Sequence, residues 1–319
     1  MTIKLPEWRV DLPEVQRRAS LREDIDRWIR SPELASLAAT FGATAPALAT
    51  EDLLAWYDQR SLELWDYRAG KERNLAETPN LSLRETDAAL EAATALGLSE
   101  ARKPSRGSYD FTLILGGLVR ACVTRPRYAR ELANTGTSLG CVVALGGFRP
   151  LGGDEIALAD QLDIHASNEF GAMDAGVRRS FDILGDPNIT VGDGSEGNSD
   201  WRVHDYSQPR CSVVAAPSSD PQVRRANSGD TFIWWGNRTP NLLGAHVLLI
   251  TNPIYVPYQG AAATQLLAKR FGIQVETVGI SREAADLGSD TQSFTAANYL
   301  QEIRSGIRGM QALYLESFR

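Results

Sequence analysis

The pattern of apolar positions changes character once along the chain. Through residues 1–108 apolar side chains recur at helical spacing, and no strand-like run interrupts them. Ser31-Pro32 places a capping serine before a proline in the first helical turn, and Gly42 ends that element. Thr50 precedes Glu51 and Asp52, acids that favour a helix start, and the pattern continues through Trp56, Tyr57, Leu62, Leu64 and Trp65 to Gly70. Ser82-Leu83-Arg84-Glu85 is a capping box opening an Ala/Leu-rich helix that ends near Gly97. Residues 103–108 read as a linker.

From residue 109 short apolar runs alternate with helical patterns. The runs at 111–115, 141–145, 211–215, 245–251 and 274–279 are rich in Val, Ile and Leu, as buried parallel strands require. Helical patterns fill 125–134, 154–166, 169–183, 222–237 and 258–271, and a closing helix covers 291–317. This order predicts an α/β fold: a doubly wound, mainly parallel, Rossmann-like domain over 109–319, preceded by a helical region over 1–108. Residues 184–210, rich in Gly, Asp and Asn, are the one long departure. They read as a long loop serving as a lid, as a partner contact or as a plain insertion.

Polar residues collect where the strands should end, on the edge where open α/β sheets bind ligands. Two of those ends repeat one another. Leu115-Gly116-Gly117 is followed by Arg120, and Leu145-Gly146-Gly147 by Arg149 and then Glu155. Paired glycines let backbone N–H groups approach a ligand, and a helix start adds favourable potential for an anion. A third cluster contains Arg225, Asn227, Ser228 and Thr231, and a fourth contains Thr251, Tyr255, Tyr258 and Gln259. Each has a plain structural reading too: tight turns for the glycines, surface ion pairs for the arginines, helix caps for Asn227, Ser228 and Thr231, packing for the tyrosines.

The expected ligand is therefore a nucleotide-like or phosphorylated small molecule, held by Gly116, Gly117, Gly146 and Gly147 with Arg120 and Arg149. Arg225, Asn227, Ser228, Thr231, Thr251, Tyr258 and Gln259 are the further expected contacts. Glu155, Tyr255 and His204 are the candidate acid/base groups, for a transferase or hydrolase. A non-catalytic ligand-binding or regulatory protein, using the helical region for partner contact, is the competing expectation. No G-x-G-x-x-G, P-loop or G-x-S-x-G motif is present. His165, His204 and His246 are too scattered for a sequence-level zinc site, and His246, opening an apolar strand, reads as structural. Of Trp234 and Trp235, one ring is expected in the core and the other facing a pocket.

As an ordered set these strand ends resemble the DUF218 family, the YdcF/SanA/ElyC-like proteins. The residues that carry the resemblance are Leu115-Gly116-Gly117, Arg127 with Ala129, Gly146-Gly147, Glu155, the run from Ala226 to Thr231 and the run from Thr251 to Gln259. That family has a histidine and an arginine after its fourth strand, where this chain has Tyr255 and Tyr258. The resemblance implies a Rossmann-like domain with S-adenosylmethionine as a candidate ligand.

Composition narrows the partners. With 43% hydrophobic residues the chain can bury a sizeable core. Its formal charge of −7 disfavours nucleic acid and anionic membrane surfaces. Residues 1–10 contain Lys4, Pro6, Glu7 and Arg9 and no apolar leader. The apolar stretch 242–256 is broken by His246, Asn252 and Pro253, short of the roughly 20 apolar residues a span needs. Cys122, Cys141 and Cys211 suit buried thiols in a reducing compartment, so a cytoplasmic protein is expected.

Overall fold

The computed structural model describes residues 2–67 and 79–318. In chain order the elements begin with α1 (Glu14–Ile29), α2 (Pro32–Thr40), α3 (Thr50–Trp65), α4 (Leu83–Ala95), β1 (Phe111–Leu115) and α5 (Val119–Asn134). Next come β2 (Cys141–Gly146), α6 (Asp154–Gln161), α7 (Glu169–Ser180), β3 (Asn188–Val191), β4 (Arg202–Tyr206), β5 (Cys211–Ala215) and α8 (Ser228–Arg238). The chain ends with β6 (His246–Thr251), α9 (Val256–Ala263), α10 (Lys269–Phe271), β7 (Gln274–Gly279), α11 (Arg282–Ala285) and α12 (Ala296–Glu316). All five strands expected from the apolar runs are present. The third N-terminal helix, expected to continue to Gly70, is described only to Trp65, and Gly70 lies outside the described residues.

The chain divides into two compact units. One comprises residues 1–100, 253–265 and 293–319, and the other 101–252 and 266–292. The helical unit thus takes in two segments that the chain order had placed with the sheet. Its capping box forms as expected, Ser82 N–H donating to Glu85 at 2.8 Å and Glu85 N–H to Ser82 Oγ at 3.3 Å. Glycines on α12 let neighbours approach: Gly306 faces the Trp28 ring, and Gly309 faces Ala261 on α9. The buried Asp24 carboxylate is paired with Arg27 at 2.8 Å and Arg9 at 3.5 Å, as a carboxylate removed from water requires.

The other unit is an α/β sandwich around a seven-stranded, mostly parallel sheet of order β3-β4-β5-β2-β1-β6-β7. Counted in chain order, its five parallel strands lie 3-2-1-4-5, so the order reverses between β1 and β6. β1 and β2 pair in register, Leu115 opposite Leu145, which brings Gly116 and Gly146 to the same edge. Residues 184–210, expected to be irregular, supply β3 and β4, an antiparallel hairpin that extends the sheet. β3 alternates polar and apolar residues over only four positions, all exposed, too short a run to stand out in a Gly-, Asp- and Asn-rich stretch.

Helices α5 and α7 pack side by side on one face, over a core that includes Val119, Cys122, Phe170, Met173 and Val177. A proline makes this contact close. Pro126 lies inside α5 and has no N–H to offer the carbonyl of Cys122, one turn back. Gly176 of α7 sits directly against that carbonyl, where any Cβ would overlap the oxygen. Gly176→Ala is expected to cost about 1–3 kcal/mol in urea unfolding, because helix backbone rather than a flexible side chain must move. Gly147→Ala, with open space around its Cβ, is the control and should change stability by less than about 0.5 kcal/mol.

Candidate functional site

The β1 exit is closed by carbonyls and one buried guanidinium. Arg125, on the second turn of α5, points back under the turn and donates to the carbonyls of Leu115, at 2.7 Å, and of Gly116. Its Nε donates to Asn252 Oδ1 at 2.8 Å, tying in the residue that follows β6. Gly116 tolerates no side chain: a Cβ would overlap both the Leu145 carbonyl and the Glu169 carboxylate. Here the glycine is required by close approach, as the sequence suggested.

The β2 exit carries Arg149, and all five of its N–H groups have acceptors. Nη1 and Nη2 grip Glu155 in a fork at 2.6 and 2.9 Å. Nη1 also reaches the Pro150 carbonyl at 3.2 Å, Nη2 the Gly117 carbonyl at 3.1 Å, and Nε the Glu169 carboxylate at 3.3 Å. The fork on Glu155 is the largest influence keeping Arg149 charged. Glu155 in turn accepts the N–H of Val119 at 3.2 Å, so its carboxylate occupies the N-terminal end of α5. The anion at this helix start is part of the protein, and Arg149 is its counter-charge.

Glu169 is the first residue of α7 and its side chain keeps 15% of its surface open. Desolvation pushes its carboxyl up from 4.5 to about 7, against the opposing pull of Arg149 and Arg125. Two carboxylates share one guanidinium, and Glu155 takes its two-pronged grip, which leaves Glu169 with the weaker hold of the Arg149 Nε. Three backbone contacts fix its placement: Glu169 N–H donates to the Arg149 carbonyl at 2.9 Å, Phe170 N–H to the Gly147 carbonyl at 2.8 Å, and Asn168 caps the helix through Gly171 N–H at 2.9 Å.

The expected site residues fall into distinct groups. Gly116, Gly117, Arg149 and Glu155 come together around Glu169. Gly146 abuts the Phe170 backbone and Gly147 supplies a carbonyl. Arg120 turns to the Asp290 carbonyl at 2.6 Å. Asn227 caps α8 reciprocally with Asp230, Ser228 opens that helix, Thr231 bonds to the Asn227 carbonyl, and exposed Arg225 offers its carbonyl to Arg224. Thr251 ends β6, its hydroxyl buried and without a partner among the described residues. Tyr255, Tyr258 and Gln259 belong to the helical unit, where Tyr255 meets the Phe294 ring at 6.2 Å. His204 lies on β4 rather than in a loop, its Nδ1 2.9 Å from Asp174, which also accepts Tyr206 OH at 2.8 Å. His246 opens β6. Trp235 is buried against Phe111, while half-buried Trp234 lies beside Trp201 with Arg238 over both rings.

Three contributors were not foreseen, Glu169, Arg125 and Asn168, and Asp230, inside the expected third cluster, has no expected role of its own. Asn168-Glu169 is itself the available signal, a capping residue and an acid opening a helix after the second Gly-Gly turn. Asp230 is held by Arg224, Ser219 N–H and Asn227 N–H. Against the cost of burial these pull it down to about 2, so it organises the loop before α8. Among the described residues no group of three or more His, Cys, Asp or Glu is placed to hold a metal ion, and no helix is long and apolar enough to cross a membrane.

The chain is thus a two-unit protein: one unit is helical, and the other is a mostly parallel α/β unit with a carboxylate pair on one arginine at its sheet edge. A family model described as Rv3785 N-terminal domain matches residues 13–97, within the helical unit. The "Uncharacterized protein Rv3785" of Mycobacterium tuberculosis and the "Uncharacterized protein Mb3814" of Mycobacterium bovis are each 31% identical over 324 residues, covering 92% of this chain and 90% of theirs. The chain belongs to the Rv3785 family. No solved structure matches it. These matches replace the resemblance to the DUF218 family, for which there is no match. The residues behind that resemblance have local duties: Arg127 donates to the carbonyls of Ala284 and Asp286, and the 226–231 run caps α8. The S-adenosylmethionine expectation rested on the resemblance and goes with it.

A carboxyl raised on folding binds its proton more tightly in the folded state. The contribution of Glu169 to stability therefore falls as pH rises from the unfolded value of 4.5 to about 7, and is level outside that window. Urea unfolding at stepped pH should show this decline in the native protein and lose it in Glu169→Gln. An identical slope in both would mean that the Glu169 carboxyl is not raised.

Proposed function

We propose that the sheet unit is a Rossmann-like, doubly wound enzyme domain in which Glu169 transfers a proton during group transfer or hydrolysis on an anionic small molecule. The observation that carries this reading is the position of Glu169. Its carboxyl is raised to about 7 at the carboxyl edge of a parallel sheet, the edge where such folds bind ligands. A group that changes charge near neutral pH serves as acid in one half of a reaction and base in the other.

The remaining residues have supporting roles. Arg149 spends every donor on the protein, so it holds Glu155 and Glu169 instead of gripping substrate. Arg120, committed through Nε to one carbonyl, is the better placed cation for a phosphate or carboxylate arriving beside Gly117. The ligand class is accordingly a phosphorylated or nucleotide-like compound, small enough to enter beside the β1 turn.

A thermal-shift screen with inorganic pyrophosphate, nucleoside monophosphates and diphosphates, and sugar phosphates tests the reading. A compound at 100 times its dissociation constant stabilises the folded state by about 2.7 kcal/mol. Arg120→Ala should lose that stabilisation. Glu169→Gln should retain it while turnover of the same compound falls by at least about a hundredfold, the usual contribution of a general acid or base. Arg149→Ala is unsuited to this purpose, because it strands two carboxylates and destabilises the fold. Stabilisation without turnover in any variant would favour the regulatory alternative, and no stabilisation by any of these compounds would defeat the ligand assignment.

A further inference from the structure

Residues 192–201 join β3 to β4 and are organised around one buried carboxylate. Asp200 accepts the N–H groups of Asp193 at 3.0 Å, Glu196 at 2.9 Å and Trp201 at 2.8 Å. This inward gathering of amides leaves Glu196 in the left-handed region, at φ 56°, with its side chain directed at the start of α7. One Glu196 oxygen accepts Asn168 Nδ2 at 2.8 Å and the other accepts Arg202 Nη1 at 2.6 Å. The Arg202 guanidinium lies over the rings of Phe148 and Phe170, at 5.6 and 5.8 Å. Asn168 is thereby divided between two tasks, its oxygen capping α7 and its nitrogen holding the hairpin.

We infer that Glu196 is a positioning residue for Glu169: its bond to Asn168 holds the first turn of α7 where the Glu169 carboxyl meets Gly116 and Arg149. The inference rests on the reading of Glu169 as the proton-transfer group. It follows from adjacency, since Asn168 directly precedes Glu169 and both α7 backbone bonds at this turn go to the segment after β2. The charged and titratable groups facing Glu169 are Arg149 and Glu155 after β2, and Arg125 and Cys122 from α5. The hairpin touches this turn of α7 through Glu196 on Asn168 and through Arg202 and His204 on the Phe170 ring. The charges acting on Glu169 come from Arg149, Arg125 and Glu155, so a change at Glu196 acts on Glu169 by moving the helix turn and not by direct charge.

The test uses the full chain and a reversal of hydrogen-bond polarity. Asn168→Asp keeps the helix cap, since Asp and Asn cap equally well, but removes the amide donor and sets a carboxylate against Glu196. Amide exchange over 192–201 should accelerate by roughly tenfold or more. A carboxylate at position 168 by itself raises its neighbour. The Glu169 titration midpoint, read by carboxyl-carbon NMR, is therefore compared with that of the double variant Asn168→Asp/Glu196→Gln, which carries the same carboxylate, and should lie about one pH unit or more below it as burial is relieved. Asn168→Asp with Glu196→Gln should restore both, because the glutamine amide donates to the new aspartate while its oxygen still accepts Arg202. Glu196→Ala removes the same bond without touching the cap and should give the same fall in midpoint. Faster exchange with an unmoved midpoint, in Asn168→Asp against the double variant or in Glu196→Ala against the native protein, overturns the inference. Midpoints that fall and are restored, in a protein that binds and converts none of the screened compounds, would support the positioning and defeat the catalytic reading.

Discussion

The edge of the sheet depends on one fully subscribed guanidinium. Arg149 joins the exit of β2 to the start of α5, the first turn of α6 and the first turn of α7, through two carboxylates and two carbonyls. Pairs of this kind are costly to assemble out of water and more costly to break singly, because each orphaned charge keeps its desolvation penalty. The arrangement therefore sets relative placement more than it adds stability. With Arg149 fixed, Glu155 can occupy the α5 start and Glu169 can be desolvated without being expelled.

This changes the chemical meaning of the two Gly-Gly turns. From the residues alone they look like a pair of anion cradles, each with its own arginine. In the folded protein the second turn is occupied internally, carbonyls and carboxylates having consumed its cation, and the first is backed by Arg125, which bonds the strand-end carbonyls from beneath. What remains distinctive is the reverse of a cationic pocket: a pair of acids, one of them kept close to neutrality.

Much of the architecture was legible because buried parallel strands are apolar on both faces, and five such runs stand out in 111–279. The hairpin was not legible, since Asn188, Ile189, Thr190 and Val191 alternate polar and apolar over only four residues, all exposed, within a Gly-, Asp- and Asn-rich stretch. Nor can chain order say which body a helix joins: α9 and α12 follow sheet strands, yet α12 packs with α3 and α4, and α9 packs on α12. At the site, Arg149, Glu155 and the glycines could be read from spacing. Glu169 could not, because an acid at the first position of a helix is ordinary and its perturbation comes from the fold around it. Arg125 was concealed by Pro126, which makes the segment look like a helix start when it lies inside α5.

The left-handed backbone at Glu196 has its own implication. A non-glycine residue there costs about 1–2 kcal/mol, and glycine would remove that cost. Glycine would also discard the carboxylate that bonds Asn168 and Arg202, bonds to a charged group worth about 1.5–3 kcal/mol each, so an eased backbone and a held helix start cannot both be had at this position. Backbone ease and alignment compete at a single codon, and the chain as it stands has settled on alignment.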